Sequence, residues 1–363
     1  MKIAFYISDM DKGGAQRVVL TLMESLLKEG YEILLITTRV GSREYELPEG
    51  IQRKLCEIPP ERMVKADVIS RINNFRLRIR LLRKVLKEER PDSTVAFMGK
   101  TNVMLLLASR RIHGRYYVSV RATPSEEYKS PVMRYLARTL FAKADGVILQ
   151  TKQAADFFPQ RIQKKVSILP NPLNTQFLGA PYEGERSASI VAVGRIDDNK
   201  NHRMIMHAFE EAVGRHPELS NYELVIYGDG ELRETLMREA EQMSVRIRFP
   251  GQVPDVQDRI KDASLYVLSS DTEGMPNALL EAMALGLPCI STDCPCGGPA
   301  TVIQNGVNGI LVPVRDEETL SREMSDLLLH PDRAEALGKE ALHIRESNAP
   351  DRVAEEWRRV IAE

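Results

Sequence analysis

Short runs of consecutive apolar residues alternate along this chain with longer stretches in which apolar residues recur every three or four positions. The runs at 2–8, 32–38 and 94–98 have the length and composition of strands. The stretch 15–28 has helical periodicity, and Gly30 closes it. This order of strand, loop, helix and strand predicts a parallel α/β unit.

The same alternation begins again in the second half of the chain, with a strand predicted at 189–194. A length of 363 residues, 43% of them hydrophobic and 28% charged, fits two soluble domains better than one. Pro170 and Pro172 form a stiff, extended linker. We therefore predict a first domain over residues 1–172 and a second over residues 173–349. Further strands are predicted at 115–120, 145–151, 246–253, 264–270 and 288–292, and further helices near 101–111, 131–143, 202–215, 316–329 and 332–346.

The net charge of −1 conceals a strong division between the two halves. Residues 1–172 contain 31 Lys and Arg against 18 Asp and Glu, whereas the remainder contains 19 against 33. This asymmetry indicates an anionic partner for the first domain, for which nucleic acid, a membrane surface and a lipid phosphate all qualify. No recognised nucleic-acid motif accompanies the charge, so nucleic acid is not expected as a partner.

The four cysteines show neither zinc-ligand nor disulfide-framework spacing; they are Cys56, Cys289, Cys294 and Cys296. They predict reduced thiols in a cytosol. No apolar run reaches the roughly 18 residues of a membrane span, and the first residues enter a strand rather than a signal peptide. We expect a cytoplasmic protein.

The stretch 68–90 predicts a helix with two contrasting faces. Its apolar stripe consists of Ile72, Phe75, Ile79, Leu82 and Leu86. A basic row, roughly 90° away at 3.6 residues per turn, contains Arg76, Arg80, Arg83 and Lys87. A basic row beside an apolar stripe suits a membrane surface or a lipid diphosphate. The alternative is an ordinary packed helix with a solvated face.

Arg195 and Lys200 follow the strand 189–194 in a short polar loop. Two fixed cations at a strand end can neutralise a departing diphosphate without a metal ion. Taken as isolated residues, such cations are more often plain surface charges.

Two glutamates, Glu273 and Glu281, are separated by seven residues in the stretch SSDTEGMPNALLEAMALGLPCIST. Strand-like runs flank the stretch, so the first glutamate lies on a strand-to-helix loop and the second inside the helix. Pro276 suits the first helical turn, because its missing N–H has no intrahelical partner there. The N-terminus of such a helix attracts phosphate. Two carboxylates so placed suit the hydroxyls on both sides of the diphosphate of a sugar nucleotide.

These residues resemble glycosyltransferase family 4, whose members are retaining enzymes of the GT-B fold. Besides Glu-(seven residues)-Glu, four motifs stand in the family's order: KGGAQRVV (12–19), VGRIDDNKNH (193–202), YGDGE (227–231) and FPGQV (249–253). The resemblance implies two Rossmann-like domains facing across a cleft, with the donor mainly on the second and the acceptor on the first. It also implies that the segment 350–363 crosses back to pack on the first domain.

Carried over residue by residue, the resemblance predicts a UDP-sugar as the donor. The candidate catalytic residues are Arg195, Lys200 and Glu273: the two cations stabilise charge growing on the leaving phosphate, and the glutamate holds hydroxyls of the donor sugar. Glu281 is expected to hold the ribose, and the backbone of Val253 is expected to bind uracil. The remaining candidates for donor binding are Gly13, Gly14, Gly228, Gly274, Met275, Pro276 and Asn277.

The resemblance also implies the reaction, which is transfer of a hexosyl or N-acetylhexosaminyl group to a hydroxyl with retention of anomeric configuration. The UDP phosphate itself then accepts the proton of the acceptor hydroxyl. No metal or other cofactor is expected, since the family works without a bound metal. Asp9-Met10-Asp11 nevertheless spells a D-x-D, which elsewhere can hold a divalent ion.

The implied acceptor is a polyprenyl-diphosphate-linked sugar in the assembly of bacterial surface polysaccharides or glycans. Some relatives hold the diphosphate with a basic helix in the corresponding region, which makes Arg76, Arg80 and Arg83 candidate acceptor contacts. Arg121 stands where many members have His; it either contacts an acidic acceptor or anchors its loop. The protein is expected to lie on the inner face of the plasma membrane, with its first domain on the anionic surface.

Two other functions fit the same residues. A GT-B hydrolase or epimerase would release free sugar or an isomer from a UDP-sugar with no acceptor present. A non-catalytic, sugar-nucleotide-binding assembly partner would keep the site but lack turnover. The intact set of Arg195, Lys200, Glu273 and Glu281 argues against the second of these.

Overall fold

The computed structural model describes residues 1–58 and 68–363. These residues form two compact units, of which the first comprises Met1–Pro172 together with Pro350–Glu363 and the second comprises Leu173–Ala349. The division falls directly after Pro172, where the proline ring restricts the backbone. Each unit is built around one parallel sheet with its own apolar core.

The sheet of the first unit contains seven described strands in the order β3-β2-β1-β4-β5-β6-β7, all parallel. These strands are β1 (Lys2–Ile7), β2 (Glu32–Thr37), β3 (Gln52–Leu55), β4 (Ser93–Phe97), β5 (Arg115–Ser119), β6 (Gly146–Leu149) and β7 (Val166–Ile168). The central strands β1 and β4 are buried along almost their whole length. Burial on both faces explains why their sequences are continuous apolar runs rather than alternating ones.

Helices cover this first sheet. They are α1 (Gly14–Lys28), α2 (Val68–Glu89), α3 (Gly99–Ala108), α4 (Pro124–Glu127), α5 (Pro131–Leu140), α6 (Lys152–Ala155), α7 (Gln160–Gln163) and, from the end of the chain, α16 (Pro350–Ile361), with a 3₁₀ turn at Phe141–Lys143. Helices α2 and α5 both pack against α3, whereas α16 packs against α1. Trp357 of α16 is fully buried and stacks on Phe97 of β4, with ring centroids 5.6 Å apart. The C-terminal helix is therefore part of the core of the first unit.

The sheet of the second unit contains six described strands in the order β10-β9-β8-β11-β12-β13, again all parallel. They are β8 (Ser187–Val193), β9 (Glu223–Tyr227), β10 (Arg246–Gly251), β11 (Ala263–Leu268), β12 (Cys289–Thr292) and β13 (Ile310–Val312). The helices are α8 (His202–Arg215), α9 (Arg233–Ala240), α10 (Val256–Ile260), α11 (Asn277–Ala284), α12 (Gly298–Val302), α13 (Glu317–Leu329), α14 (Pro331–Ala341) and α15 (Ile344–Ser347), with 3₁₀ turns at Thr175–Phe177 and Pro217–Asn221. The helix predicted at 332–346 is thus two helices.

Each sheet has a point at which the direction of winding reverses. In the second sheet the chain passes from β8 to β9 on one side, and from β11 to β12 on the other, although β8 and β11 are neighbours. The loops that follow β8 and β11 therefore diverge and leave a crevice at the carboxyl ends of the strands, where open α/β sheets bind ligands. In the first sheet the corresponding point lies between β1 and β4.

Candidate active site

Two loops at the switch point of the second sheet bring the predicted catalytic residues into contact. The loop 194–201, after β8, carries Arg195 and Lys200, and the loop 269–276, after β11, carries Glu273. Because β8 and β11 pair side by side, residues 73 positions apart in the sequence meet here. This contact joins the motif VGRIDDNKNH to the Glu-(seven residues)-Glu motif.

Lys200 and Glu273 form an ion pair. The Nζ atom of the lysine lies 2.5 Å from Oε1 of the glutamate, and the two side chains are only 16% and 13% exposed. The hydroxyl of Ser270 donates to the same oxygen at 2.6 Å. Oε2 of the glutamate has no hydrogen-bond partner in the described part of the chain. Since a lysine ammonium has three N–H donors, both side chains keep capacity for a ligand.

A set of hydrogen bonds joins the two loops beside this ion pair. The side-chain amide of Asn199 donates to the carbonyl oxygen of Thr272 at 3.0 Å and accepts from its hydroxyl at 2.7 Å. The backbone N–H of Asp271 donates to the carbonyl oxygen of Asn199 at 2.8 Å. The hydroxyl of Ser269 donates to the carbonyl oxygen of Lys200, also at 2.8 Å. These bonds hold the two loops in register, so the position of the ion pair does not depend on its own attraction alone.

Asp271 extends this network to the next strand end. Its Oδ1 accepts from the side-chain amide of Asn201 at 3.3 Å, and its Oδ2 lies 2.5 Å from Nη2 of Arg315, which follows β13. Asn201 has a φ of 46°, in the left-handed region that Asn tolerates better than most residues. The start of α8 is therefore attached to the loop after β11 and, through Asp271, indirectly to the loop after β13.

Arg195 differs from Lys200 in being exposed. Its side chain is 77% exposed, and Nη2 lies 2.9 Å from Oδ2 of Asp197. Asp197 also accepts from the backbone N–H of Lys200 at 3.0 Å. An exposed pair of this kind is weak, so the guanidinium is free to move toward a ligand. The structure thus places one candidate cation in a buried pair and the other at the surface beside it.

The segment 294–298 supports the loop of Glu273, a role that was not predicted from the sequence. The backbone N–H of Glu273 donates to the carbonyl oxygen of Pro295 at 2.8 Å. In return, the N–H of Cys296 donates to the carbonyl oxygen of Glu273 at 3.1 Å. The candidate catalytic glutamate is therefore held by its backbone on this side and by its carboxylate on the other.

Two glycines at the site leave no room for a side chain. A Cβ atom on Gly298 would lie 1.7 Å from the carbonyl oxygen of Gly274. One on Gly228 would lie 1.8 Å from the carbonyl oxygen of Gly194, and Gly228 also has a φ of 141°. The double glycine Gly297-Gly298 was the sequence signal for the first of these contacts. At both positions the close approach of two backbones explains the glycine without reference to a ligand.

Helix α11 begins at Asn277, so Pro276 occupies the position before the first helical residue rather than the first turn. Gly274, Met275 and Pro276 are buried. Glu281 lies in the second turn of the helix and is only 6% exposed. The helix therefore starts directly after the loop of Glu273, with the second glutamate of the motif on the same short element.

Tyr266 of β11 lies near both glutamates of the motif. Burial raises the pKa of its hydroxyl well above the ordinary value, with smaller contributions from Cys289, Glu281 and Glu273. A phenol that stays protonated beside two carboxylates adds no negative charge to that of the two glutamates.

Val253 and His202 lie at the edges of the site. Val253 follows β10 and is half-buried against the apolar cluster around α11.

His202 begins α8 and is 4% exposed. Burial lowers the pKa of His202 to about 4, and the charge of Lys200 adds to the effect. The imidazole is therefore neutral at physiological pH, and we assign it no role in catalysis.

In the first unit, Gly13 and Gly14 lie at the carboxyl end of β1, where Gly13 precedes the first residue of α1. The segment 39–45 holds this loop, because the N–H of Tyr45 donates to the carbonyl oxygen of Met10 at 3.0 Å. The carboxylate of Glu44 accepts from the backbone N–H groups of Met10 and Gly41, and Arg53 pairs with it at 2.6 Å. The Arg53 guanidinium is the main reason that the pKa of Glu44 falls to about 2.

The two carboxylates of the D-x-D sequence bind groups of the protein. Oδ2 of Asp9 lies 2.8 Å from Nε of Arg39, and Oδ1 of Asp11 accepts from the backbone N–H of Arg43 at 2.8 Å. Across residues 1–58 and 68–363, no group of three or more His, Cys, Asp or Glu side chains could hold a metal ion. Both aspartates thus organise the loop that carries the two glycines.

Arg121 is buried in the first unit, with only 8% of it exposed. Its Nη2 donates to the side-chain oxygen of Asn171, and its guanidinium carbon lies 5.4 Å from the ring centroid of Trp357. Burial lowers the pKa of Arg121 to about 9, and Glu127 opposes this effect, so the side chain remains charged at neutral pH. Asn171 belongs to the proline-flanked segment that leaves this unit, and Trp357 to the helix that returns to it. The geometry favours the anchoring role over contact with an acceptor.

The arginines of the basic row predicted on α2 have different surroundings in the structure. Arg76 and Arg80 are exposed. Nη1 of Arg83, by contrast, donates to the carbonyl oxygens of Ala108 and Arg110, at 2.6 and 2.7 Å, at the C-terminal end of α3. Arg83 therefore does not share an exposed face with the other two. At 22 residues α2 is long, but neither it nor any other helix among the described residues is apolar enough to cross a bilayer.

Comparison with protein-family models matches both units. The model described as Glycosyltransferase Family 4 matches residues 12–177, and the model described as Glycosyl transferases group 1 matches residues 187–330. The chain belongs to glycosyltransferase family 4. The expectation that it is a glycosyltransferase is thereby confirmed.

Two curated relatives of this glycosyltransferase come from Campylobacter jejuni. One is named as an alpha-1,4-N-acetyl-D-galactosaminyltransferase acting on a GalNAc–GalNAc–diNAcBac-PP-undecaprenol glycan; it is 28% identical, over 100% of this chain and 99% of its own. The other is named as an N-acetylgalactosamine-N,N'-diacetylbacillosaminyl-diphospho-undecaprenol 4-alpha-N-acetylgalactosaminyltransferase. It is 24% identical, over 90% of this chain and 90% of its own.

Solved structures confirm the predicted GT-B fold. Anabaena Alr3699/HepE in complex with UDP superposes with a TM-score of 0.81 over 99% of both chains, at 15% identity. The lipopolysaccharide outer core galactosyltransferase WaaB, in its apo form, gives a TM-score of 0.78 over 99% of both chains, at 18% identity. At such identities the likeness concerns the fold alone.

Proposed function

We propose that this family 4 glycosyltransferase moves a hexosyl or N-acetylhexosaminyl group from a UDP-sugar to a hydroxyl of a polyprenyl-diphosphate-linked glycan, with retention of anomeric configuration. The observation that carries the proposal is the Lys200–Glu273 pair, held between two loops at the switch point of the second sheet. The UDP complex of HepE supports the choice of donor. Both Campylobacter relatives are named for undecaprenol-diphosphate-linked glycans, which supports the choice of acceptor.

The donor would lie against the second unit. In this proposal Glu281 holds the ribose hydroxyls and the backbone of Val253 holds the uracil. The free Oε2 of Glu273 accepts from hydroxyls of the donor sugar. The diphosphate lies between the N-terminal end of α11 and Lys200, because a helix N-terminus and a cation both attract phosphate. Gly13 and Gly14, at the carboxyl end of β1 in the first unit, remain candidates for donor binding on the strength of the family resemblance.

In the chemical step, the bond between the anomeric carbon and the phosphate oxygen breaks, and UDP leaves with the bonding electrons. The acceptor hydroxyl bonds to that carbon on the same face, and its proton passes to the leaving phosphate. Lys200 and Arg195 stabilise the charge that grows on that phosphate. Cations at this position supply the stabilisation for which other enzymes use a divalent ion, so we propose that no metal is needed.

The acceptor would bind to the first unit, whose basic surplus suits a lipid diphosphate. Of the three arginines predicted on α2, Arg76 and Arg80 are exposed and able to reach such a group, whereas Arg83 is engaged with α3. A lipid-linked acceptor would place the protein peripherally on the cytoplasmic face of the membrane.

Acceptor-dependent release of UDP tests this proposal. The full chain would be incubated with UDP-, GDP- and ADP-sugars, with and without a polyprenyl-diphosphate-linked glycan, and with EDTA in a parallel series. We expect UDP release only from a UDP-sugar, only when the acceptor is present, and at the same rate in EDTA. The anomeric coupling constant of the product, measured by NMR, reports retention. Release of free sugar without acceptor would assign the chain to hydrolysis instead.

A further inference from the structure

Helix α5 of the first unit carries the two most exposed large apolar side chains among the described residues. Tyr135 is 69% exposed and Val132 is 66% exposed. They stand three positions apart, so they lie on the same face of the helix about one turn from each other. The opposite face is packed, since Ala137 is fully buried. Single exposed apolar residues are ordinary on soluble proteins, but such a pair on one helical turn is not explained by the packing of the fold.

Cations flank this apolar pair. Arg134 and Arg138 are exposed and lie four positions apart on α5. Neither forms an ion pair with an acidic side chain in the parts of the chain that the structure describes. The guanidinium carbon of Arg138 lies 5.9 Å from the ring centroid of Phe157, which leaves its charge unneutralised. The exposed face of α5 therefore combines apolar side chains with uncompensated positive charge.

We propose that this face of α5 (Val132, Arg134, Tyr135 and Arg138) binds the surface of an anionic lipid bilayer. An apolar pair flanked by cations is the composition of a helix that lies in the interface of a membrane. Tyrosine favours that interface because its ring is apolar and its hydroxyl stays hydrated. Near an anionic leaflet each Lys or Arg adds attraction, and the basic surplus of residues 1–172 has the matching sign.

The position of α5 fits a membrane-bound acceptor. Helices α2 and α5 both pack against α3 and so cover the same face of the first sheet. The exposed Arg76 and Arg80 of α2 therefore belong to the same side of the unit as the apolar pair of α5. In this arrangement α5 binds the lipid surface, and the exposed arginines of α2 bind the diphosphate of the acceptor. The biological role of this membrane contact rests on the proposed lipid-linked acceptor, but binding to a bilayer can be measured without any substrate.

The test is partition of the full chain onto vesicles of phosphatidylcholine, with and without phosphatidylglycerol, measured by flotation. The variant is Val132→Ser/Tyr135→Ser, and its matched control is Val40→Ser/Val307→Ser, because those two valines are 59% and 42% exposed elsewhere on the surface. We expect the first variant to lose at least about tenfold in partition coefficient onto the anionic vesicles, equivalent to about 1.4 kcal/mol. The control should stay within about twofold. Equal partition of both variants and the wild type would overturn the proposal.

A second pair of variants separates charge from apolar contact. Arg134→Gln/Arg138→Gln should weaken binding to the anionic vesicles at low salt and have little effect at high salt, because salt screens exposed charges. Melting temperatures close to that of the wild type show that these surface variants are folded. If Val132→Ser/Tyr135→Ser changes the oligomeric state and leaves vesicle binding unaltered, this face of α5 is a protein–protein interface. That result would overturn the proposal that it binds a membrane.

The outcomes for α5 and for the proposed reaction can be told apart. Turnover of a water-soluble acceptor with a shortened lipid should be the same in the wild type and in Val132→Ser/Tyr135→Ser. If the wild type binds vesicles through α5 but transfers no sugar to any lipid-diphosphate acceptor, the proposed reaction fails and the membrane surface stands. If transfer occurs but the α5 variants bind vesicles normally, the membrane surface fails and the reaction stands.

Discussion

The loop after β8 in the second unit and the helix α2 in the first unit use their basic side chains in different ways. Lys200 is drawn into a contact of 2.5 Å with Glu273, and neighbouring hydrogen bonds hold both loops in register. On α2, Arg83 binds carbonyl oxygens at the end of α3, while Arg76 and Arg80 extend into solvent. A cation fixed beside a carboxylate is prepared for one ligand geometry, whereas exposed arginines adapt to many.

This difference indicates how tolerant each region is of change. In the second unit the side chains, the loop backbones and the close glycine contacts depend on one another. A small displacement of any of them should therefore lower the rate. On α2 the exposed cations share no partner, so the loss of one should be partly compensated by the others.

Removal of the buried cation should have the largest effect. Lys200→Ala should lower kcat/KM by roughly 10²–10³, the usual cost of losing one group that stabilises charge in a transition state. Arg203→Ala is the matched control, because that arginine lies three residues on and pairs with Glu239 on α9. Steady-state kinetics with saturating acceptor measures both. A loss of less than about threefold in Lys200→Ala would remove the lysine from the chemical step.

A side chain at Gly298 should disturb the loop of Glu273. The added Cβ of Gly298→Ala would meet the carbonyl oxygen of Gly274, so that the backbone must move. A misplacement of about 1 Å can cost about a hundredfold in rate, and we expect a loss of that order with a lower melting temperature. Gly214→Ala is the control, since nothing lies within 4 Å of its added Cβ. Normal kinetics of Gly298→Ala would show that the loop has more freedom than the contact allows.

The hydrogen bonds between Asn199 and Thr272 should have a moderate effect. Thr272→Val keeps the shape of the side chain but removes the hydroxyl that donates to Asn199 at 2.7 Å. One such bond is worth about 0.5–1.5 kcal/mol, so kcat should fall by up to about tenfold. Thr272→Ser restores the hydroxyl and should restore most of the rate. If Val and Ser variants behave alike, the bond does not position the ion pair.

Substitutions of the α2 arginines should have the smallest effects on rate. Those at Arg76 and Arg80 should affect acceptor binding, and the one at Arg83 should affect stability. Arg76→Gln/Arg80→Gln should raise the KM for a lipid-linked acceptor a few-fold, more at low salt, without altering the melting temperature. Arg83→Gln should lower stability by up to about 3 kcal/mol, because it removes charged hydrogen bonds to the end of α3, and should leave acceptor KM unchanged. Thermal unfolding and acceptor titrations distinguish the two. If Arg83→Gln instead raised the acceptor KM and left stability unchanged, Arg83 would belong to the acceptor-binding surface.

Much of the fold was predictable because the buried strands of a parallel sheet are continuous apolar runs. The strands β1, β2 and β4 followed from that pattern. β3 was missed, since Gln52–Leu55 is polar and partly exposed at the edge of the sheet. An edge strand has solvent on one side, so its sequence lacks the apolar signal of the central strands.

The candidate site was predictable to the level of motifs but not of contacts. The sequence placed Lys200 and Glu273 at two strand ends, and only the order of strands shows that these ends are neighbours. The support from 294–298 was missed because it arises from backbone contacts, which leave little trace beyond a glycine pair. On α2 the helical spacing could not distinguish Arg83 from Arg80, since the difference lies in what packs against the helix.

Calorimetric titration of UDP is the sharpest test of the proposed nucleotide site, because it requires no knowledge of the sugar or the acceptor. We expect UDP to bind the wild type and Arg203→Ala alike, and Lys200→Ala to weaken binding by at least about tenfold, or about 1.4 kcal/mol. Glu281→Ala, which removes the proposed ribose contact, should weaken binding as well. UDP binding of equal strength to all four proteins would rule out this site, since the nucleotide would then lie away from the Lys200–Glu273 pair.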